Sequence, residues 1–113
     1  MAWPISITRE LAGAVAAWNS GNAGKARVCA RRAVALADDA WLGQQASLSW
    51  SGDAMAHLRR IQQDLAFPLS VRQAAERLTT TVTQKHRSPF TADPIGDANT
   101  VIECLLGGSE ARP

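Results

Sequence analysis

The segment from Trp18 to Trp41 restricts the fold more strongly than any other part of this 113-residue chain. Gly21 and Asn22 separate two alanine-rich stretches, and a glycine followed by a capping residue predicts that one helix ends and another begins. When residues 23–42 are placed at about 100° each, one half of the helix is apolar and the other half carries most of the charge. The segment therefore predicts two consecutive helices, the second of them amphipathic.

Alanine dominates the apolar half of the second predicted helix. Four alanines recur there at spacings of three or four residues: Ala26, Ala30, Ala33 and Ala37. Small side chains allow two helices to approach closely. These alanines are predicted to form a helix-packing seam, either within the chain or between two copies in a dimer.

Basic residues occupy the opposite half of the same helix: Lys25, Arg27, Arg31 and Arg32. Such a face, together with the partial positive charge of a helix N-terminus, is able to bind phosphate groups. Asp38 and Asp39 are predicted to point outward on the same half and to weaken the positive field. The favoured interpretation is a solvated surface, and anion or nucleic-acid binding is the alternative.

Apolar periodicity predicts a single all-α domain over residues 1–113, an antiparallel bundle of four main helices plus a shorter fifth helix. The last residues, 108–113, are predicted to be frayed. Loops are expected over 44–51 and 86–92. The predicted helices cover about residues 6–20, 23–42, 52–65, a stretch from Ser70 onward, and 94–106.

Helix starts are predicted from side chains that cap free backbone N–H groups. Asn22 is predicted to cap the second helix, and Ser51 or Asp53 the third. Ser70 and Gln73 have the spacing of a capping box for the fourth helix. Asp93 followed by Pro94 predicts the start of the fifth.

Several side chains on these helices are assigned by their position on the apolar stripe. Val15, Trp18 and Trp41 are predicted to lie in the core, and Leu65 is placed on the apolar face of the third helix. His57 lies at the edge of that face, where a surface or boundary histidine is the expectation.

The residues needed for catalysis or metal binding are scarce. The chain has two histidines and two cysteines, and neither pair has metal-ligand spacing. No nucleophile, base and orienting group can be assembled from them, so we predict no metal, no cofactor and no enzymatic activity. Cys29 and Cys104 are expected to be free thiols. No apolar run approaches the ~20 residues of a membrane span, and no signal-peptide pattern is present, so a cytoplasmic location is predicted.

Residues 7–42 resemble the HEPN superfamily. The resemblance consists of an alanine-rich first helix, the turn Gly21-Asn22, and a second helix of the form A-R-x-x-x-R-R-A-x-x-x-A. It implies a small prokaryotic bundle of four to five helices, often dimeric, in a superfamily whose members frequently act on RNA or pair with nucleotidyltransferases in toxin–antitoxin systems. Catalytic members carry R-x4-6-H, and no arginine stands at those offsets before His57 or His86. The resemblance therefore implies the fold without the RNase activity.

The predicted function is a non-catalytic binding or assembly module, HEPN-like and homodimeric, with a protein partner encoded nearby. Two alternatives stay open at this point. One is a weak nucleic-acid or nucleotide binder that uses the basic face of the second helix. The other is a helical adaptor, because Trp18, Gly21, Ala26 and Ala33 resemble a single tetratricopeptide unit.

Overall fold

All regular secondary structure in the described part of the chain is helical. The computed structural model describes residues 3–44, 50, 52–80 and 91–107. The five helices are α1 (Ile5–Asn19), α2 (Ala23–Gly43), α3 (Ala54–Gln63), α4 (Leu69–Thr79) and α5 (Pro94–Leu106). The all-α prediction is therefore confirmed for these residues. The predicted frayed end 108–113 and most of the two predicted loops lie outside them.

Helix α2 is the longest element and organises the others around itself. It packs most extensively against α1 and also contacts α3 and α5, while α4 packs against α3 and α5. Each helix contributes side chains to one core, and the large fully buried members include Ile7, Val34, Leu58, Leu78 and Ile102. The residues that face α3 from α2 consequently lie near the centre of the molecule.

Three of the predicted caps are present. The side chain of Asn22 accepts a hydrogen bond from Lys25 N at 3.1 Å. Asp53 accepts from the backbone of α3 at 2.8 Å, and Asp93 accepts from the backbone of α5 at 3.0 Å. Gly21 has a φ of 82°, a conformation that glycine adopts without steric cost. The predicted caps therefore begin α2, α3 and α5, whereas α3 ends at Gln63, two residues before its predicted end.

Two predictions about helix ends and lengths are wrong. Helix α4 begins at Leu69, after Pro68, and no side chain caps it. Because the helix starts before Ser70, that residue lies inside the first turn and cannot form the predicted capping box with Gln73. Helix α5 has 13 residues and exceeds the 10 of α3 and the 11 of α4, so it is not the shorter helix that was predicted.

Three core assignments are also wrong. Val15 and Trp18 are each 42% exposed, because they lie on a flank of α1 that no other described helix covers. Leu65 is 82% exposed, since α3 ends at Gln63 and Leu65 falls in the turn that leads to α4. Trp41 is partly buried and packs against the core, as predicted.

Candidate functional site

A buried ion pair joins α2 to α3 near the centre of the molecule. Asp38 is fully buried, and His57 is only 1% exposed. The Nδ1 atom of His57 lies 2.7 Å from Asp38 Oδ2 and must donate, because a carboxylate only accepts. The guanidinium of Arg60 donates to both oxygens of the same carboxylate, with Nε 3.2 Å from Oδ2. One carboxylate therefore accepts from two side chains of α3.

The next residue along α2 extends this network to the surface. Asp39 is 60% exposed, and its Oδ1 lies 3.1 Å from Nε2 of His57. Two carboxylates thus face the two nitrogens of one imidazole ring. The line Asp38–His57–Asp39 leads from the core to the surface. These three residues and Arg60 are called the Asp38 cluster below.

Aromatic rings and a further carboxylate surround the Asp38 cluster. Trp50 meets the ring of His57 edge-on, with centroids 4.7 Å apart. The Arg60 Cζ atom lies 5.2 Å from the ring centroid of Trp41 and 5.8 Å from that of Trp50, within the range of cation–π attraction. Asp64 Oδ2 lies 3.7 Å from Arg60 Nη1. The rings of Trp41 and Trp50 thus lie against the histidine and the arginine of the cluster.

The sequence interpretation of Asp38 and His57 is therefore wrong. Asp38 does not point outward, and His57 is not a surface or boundary residue. In both cases the helical spacing indicated a position close to the buried face. Asp38 follows Val34 by four residues, which places it about 40° beyond the buried arc of α2. His57 precedes the buried Ile61 by four residues, and only the packing of α3 on α2 brings the two polar groups together.

An open groove of about 370 Å³ lies beside Asp39. Its lining comes from three helices: Glu10 of α1, four residues of α2, and Ala54, the first residue of α3. The α2 residues are Arg32, Ala35, Leu36 and Asp39. Among the residues that the structure describes, neither Glu10 nor Arg32 makes an ion pair within 4.0 Å. A carboxylate and a guanidinium that form no such ion pair thus line the same groove, which is called the α1–α2 groove below.

The basic residues predicted on α2 do not form one uniform surface. Lys25 and Arg32 are exposed, Arg27 is partly buried, and Arg32 lines the α1–α2 groove. Arg31 is half-buried, and its Nε donates to the carbonyl of Leu78 in α4 at 2.7 Å. Burial and the neighbouring Arg27 lower the pKa of Arg31. The solvated-surface prediction is therefore wrong for Arg31, which connects α2 to α4.

The alanines predicted as a seam are covered within the single chain. Ala26, Ala30, Ala33 and Ala37 are all fully buried. At Gly13 of α1 an added Cβ would lie 3.5 Å from Cys29 Sγ, so the two helices are in close contact there. A second copy of the chain would reach these alanines only if the helices separated.

A second ionic cluster joins α4 to α5. Arg77 donates to Asp97 through Nη2 at 2.8 Å and through Nε at 3.1 Å. The hydroxyl of Thr91 donates to the same carboxylate at 2.7 Å. The hydrogen bond that Arg77 donates to Asp97 raises the pKa of Arg77, against the opposing effect of partial burial. These three residues are called the Asp97 cluster.

Within the described ranges, no group of three His, Cys, Asp or Glu side chains could hold a metal ion. Cys29 is buried and Cys104 exposed, both unpaired, and partial burial raises the pKa of Cys104. None of the described helices combines the length and the apolar character that crossing a membrane requires.

Comparisons with known proteins return no match, whether with protein-family models, with curated protein sequences or with solved structures. The function therefore has to be argued from the chemistry of the residues themselves.

Proposed function

We propose that the chain is a non-catalytic binding module that holds a small charged ligand in the α1–α2 groove. One observation carries the proposal. The buried pair Asp38–His57 holds the exposed carboxylate of Asp39 at the edge of a groove, and the same groove presents Glu10 and Arg32, neither of which forms an ion pair within the described part of the chain.

Stability alone does not explain the Asp38 cluster. Removing an aspartate, an imidazole and a guanidinium from water costs several kcal/mol per ion, and apolar residues of similar volume often stabilise a fold equally well or better. Titratable groups that are buried together beside a concave surface are more typical of functional sites. Here the cluster restricts the orientation of Asp39, the member that a ligand can reach.

The groove is suited to binding rather than to reaction. Its volume of about 370 Å³ lies in the range of small-molecule sites, which begins at about 300 Å³. None of its six lining residues carries a hydroxyl, a thiol or an imidazole that could act as a nucleophile. His57 is almost fully buried with both nitrogens facing carboxylates, so it is not available to exchange protons with a ligand.

Further properties predicted from the sequence remain proposals beside this one. They are the antiparallel order of the bundle, the HEPN-like ancestry, the cytoplasmic location, the homodimer and the protein partner. The homodimer would use the apolar side chains that α1 leaves exposed, Ile5, Val15 and Trp18, because the seam alanines are covered. Nucleic-acid binding is less favoured, since Arg31 is engaged with the carbonyl of Leu78.

The test is a nuclear magnetic resonance titration of the ¹⁵N-labelled protein with pools of charged metabolites. We expect shifts in the backbone amides of the groove residues. An Ala35→Phe variant fills the groove and should abolish them. The control is Val28→Phe, two turns earlier on the same side of α2 and outside the groove, which should retain them. The proposal fails if no pool shifts the groove residues, or if Ala35→Phe and Val28→Phe bind equally well.

A further inference from the structure

We infer that the ligand of the α1–α2 groove is a basic α-amino acid of the lysine type, with its α-carboxylate on Arg32, its α-ammonium on Glu10 and its side-chain cation on Asp39. This inference rests on the proposed function, since it names the ligand class of the same site. It follows from the order in which the charges lie along the groove.

The α2 side of the groove has a simple register. Arg32, Ala35, Leu36 and Asp39 follow one another at i, i+3, i+4 and i+7, so they lie on one face of the helix. At about 1.5 Å per residue, the positive and negative ends are roughly 10 Å apart along the axis. Two apolar side chains separate them. A ligand that follows this face has a negative group, an apolar middle and a positive group in that order.

Glu10 places a second negative charge beside Arg32. Gly13 of α1 lies opposite Cys29 of α2. Helices α1 and α2 are joined by residues 20–22 alone and pack extensively against each other, which is typical of a helical hairpin, and in a hairpin one turn earlier in α1 corresponds to one turn later in α2. Glu10 is therefore level with Arg32. A carboxylate and a guanidinium at one end match the two charges of an α-amino-acid head group.

The charge balance selects a basic side chain. Glu10, Arg32 and Asp39 give the groove a formal charge of about −1, taking each side chain in its usual ionised form. A lysine-type amino acid carries +1 and matches it. Its flexible four-carbon stem would lie over Ala35 and Leu36, and its ammonium would reach Asp39. A diamine would leave Arg32 facing a cation, and a dicarboxylate would meet two carboxylates.

Calorimetric titration of the full chain with four matched compounds tests this assignment. L-lysine carries all three charges, cadaverine lacks the carboxylate, 6-aminohexanoate lacks the α-ammonium, and norleucine lacks the side-chain cation. We expect L-lysine to bind at least about tenfold more tightly than each of the other three, because each omitted charge removes one charge-assisted hydrogen bond.

Three variants assign each charge to its residue. Arg32→Gln should bind L-lysine and cadaverine with equal affinity. Glu10→Gln should bind L-lysine and 6-aminohexanoate with equal affinity, and Asp39→Asn should do the same for L-lysine and norleucine. Arg59→Gln, which removes an exposed charge of α3 outside the groove, should leave all four affinities unchanged.

The outcomes separate this inference from the proposed function. If a compound lacking one charge binds as tightly as L-lysine, and Ala35→Phe still blocks it, the ligand class is wrong and the groove remains a binding site. The same conclusion holds if none of the four binds but a compound from the metabolite pools does. If no compound binds in the groove, both proposals are overturned.

Discussion

The Asp38 cluster and the Asp97 cluster both contain a carboxylate paired with an arginine, but they differ in the further residues that they contact. In each, a carboxylate accepts hydrogen bonds from an arginine and from one further donor. In the Asp97 cluster that donor is the hydroxyl of Thr91, and the described contacts end there. In the Asp38 cluster it is His57, whose second nitrogen faces the exposed Asp39. One network only joins two helices, whereas the other also reaches a groove.

The two clusters differ in their access to water as well. The side chains of Asp38 and Arg60 are 0% and 18% exposed, whereas those of Asp97 and Arg77 are 12% and 37% exposed. Water can therefore solvate part of the Asp97 cluster when a partner is lost. It has far less access to the Asp38 cluster, so a disrupted ion pair there stays buried. The more costly network is the one that fixes a surface carboxylate, which favours a role in binding.

The largest effect on stability is expected from Asp38→Asn. The substitution removes the negative charge that compensates Arg60 and that accepts from His57, and breaking a buried pair in this way should lower the free energy of unfolding by about 3–5 kcal/mol. Urea denaturation followed by circular dichroism measures it. A loss below about 1 kcal/mol would mean that water reaches the cluster, and the contrast between the two networks would disappear.

A smaller loss is expected from Asp97→Asn. Arg77 keeps partial access to solvent and Thr91 can still donate to the amide oxygen, so the free energy of unfolding should fall by about 1–3 kcal/mol. The same denaturation experiment gives the value. If this loss equals or exceeds that of Asp38→Asn, the difference in burial does not determine the energetics of the two clusters.

The features that could be predicted from the sequence are those that depend on residues close together in the chain. The caps Asn22, Asp53 and Asp93 each bond a backbone group three residues away, so their pattern is visible in a short window. The alanines of α2 lie on the buried arc because helical periodicity alone places them there. The starts of α2, α3 and α5 and the covered face of α2 were therefore accessible without a structure.

The candidate site was not accessible in this way, because its contacts join distant segments. Asp38 and His57 are 19 residues apart, and Arg31 and Leu78 are 47 apart. The wheel of α2 places Asp38 just past the buried arc, but it does not show which helix covers that position. The groove draws on α1, α2 and α3 with no contiguous motif, so only their packing reveals it.

The smallest effect on stability is expected from Asp39→Asn. This variant should also give the sharpest contrast between an effect on stability and an effect on ligand affinity. Asp39 is 60% exposed, and its amide replacement can still accept from His57. The free energy of unfolding should change by no more than about 0.5 kcal/mol, as for most surface substitutions. The affinity for L-lysine should fall at least about tenfold, to that of norleucine, because a charge-assisted hydrogen bond is lost. Urea denaturation and calorimetric titration of this one variant give both numbers. Unchanged lysine affinity together with a stability loss like that of Asp38→Asn would show that Asp39 serves the fold and not a ligand.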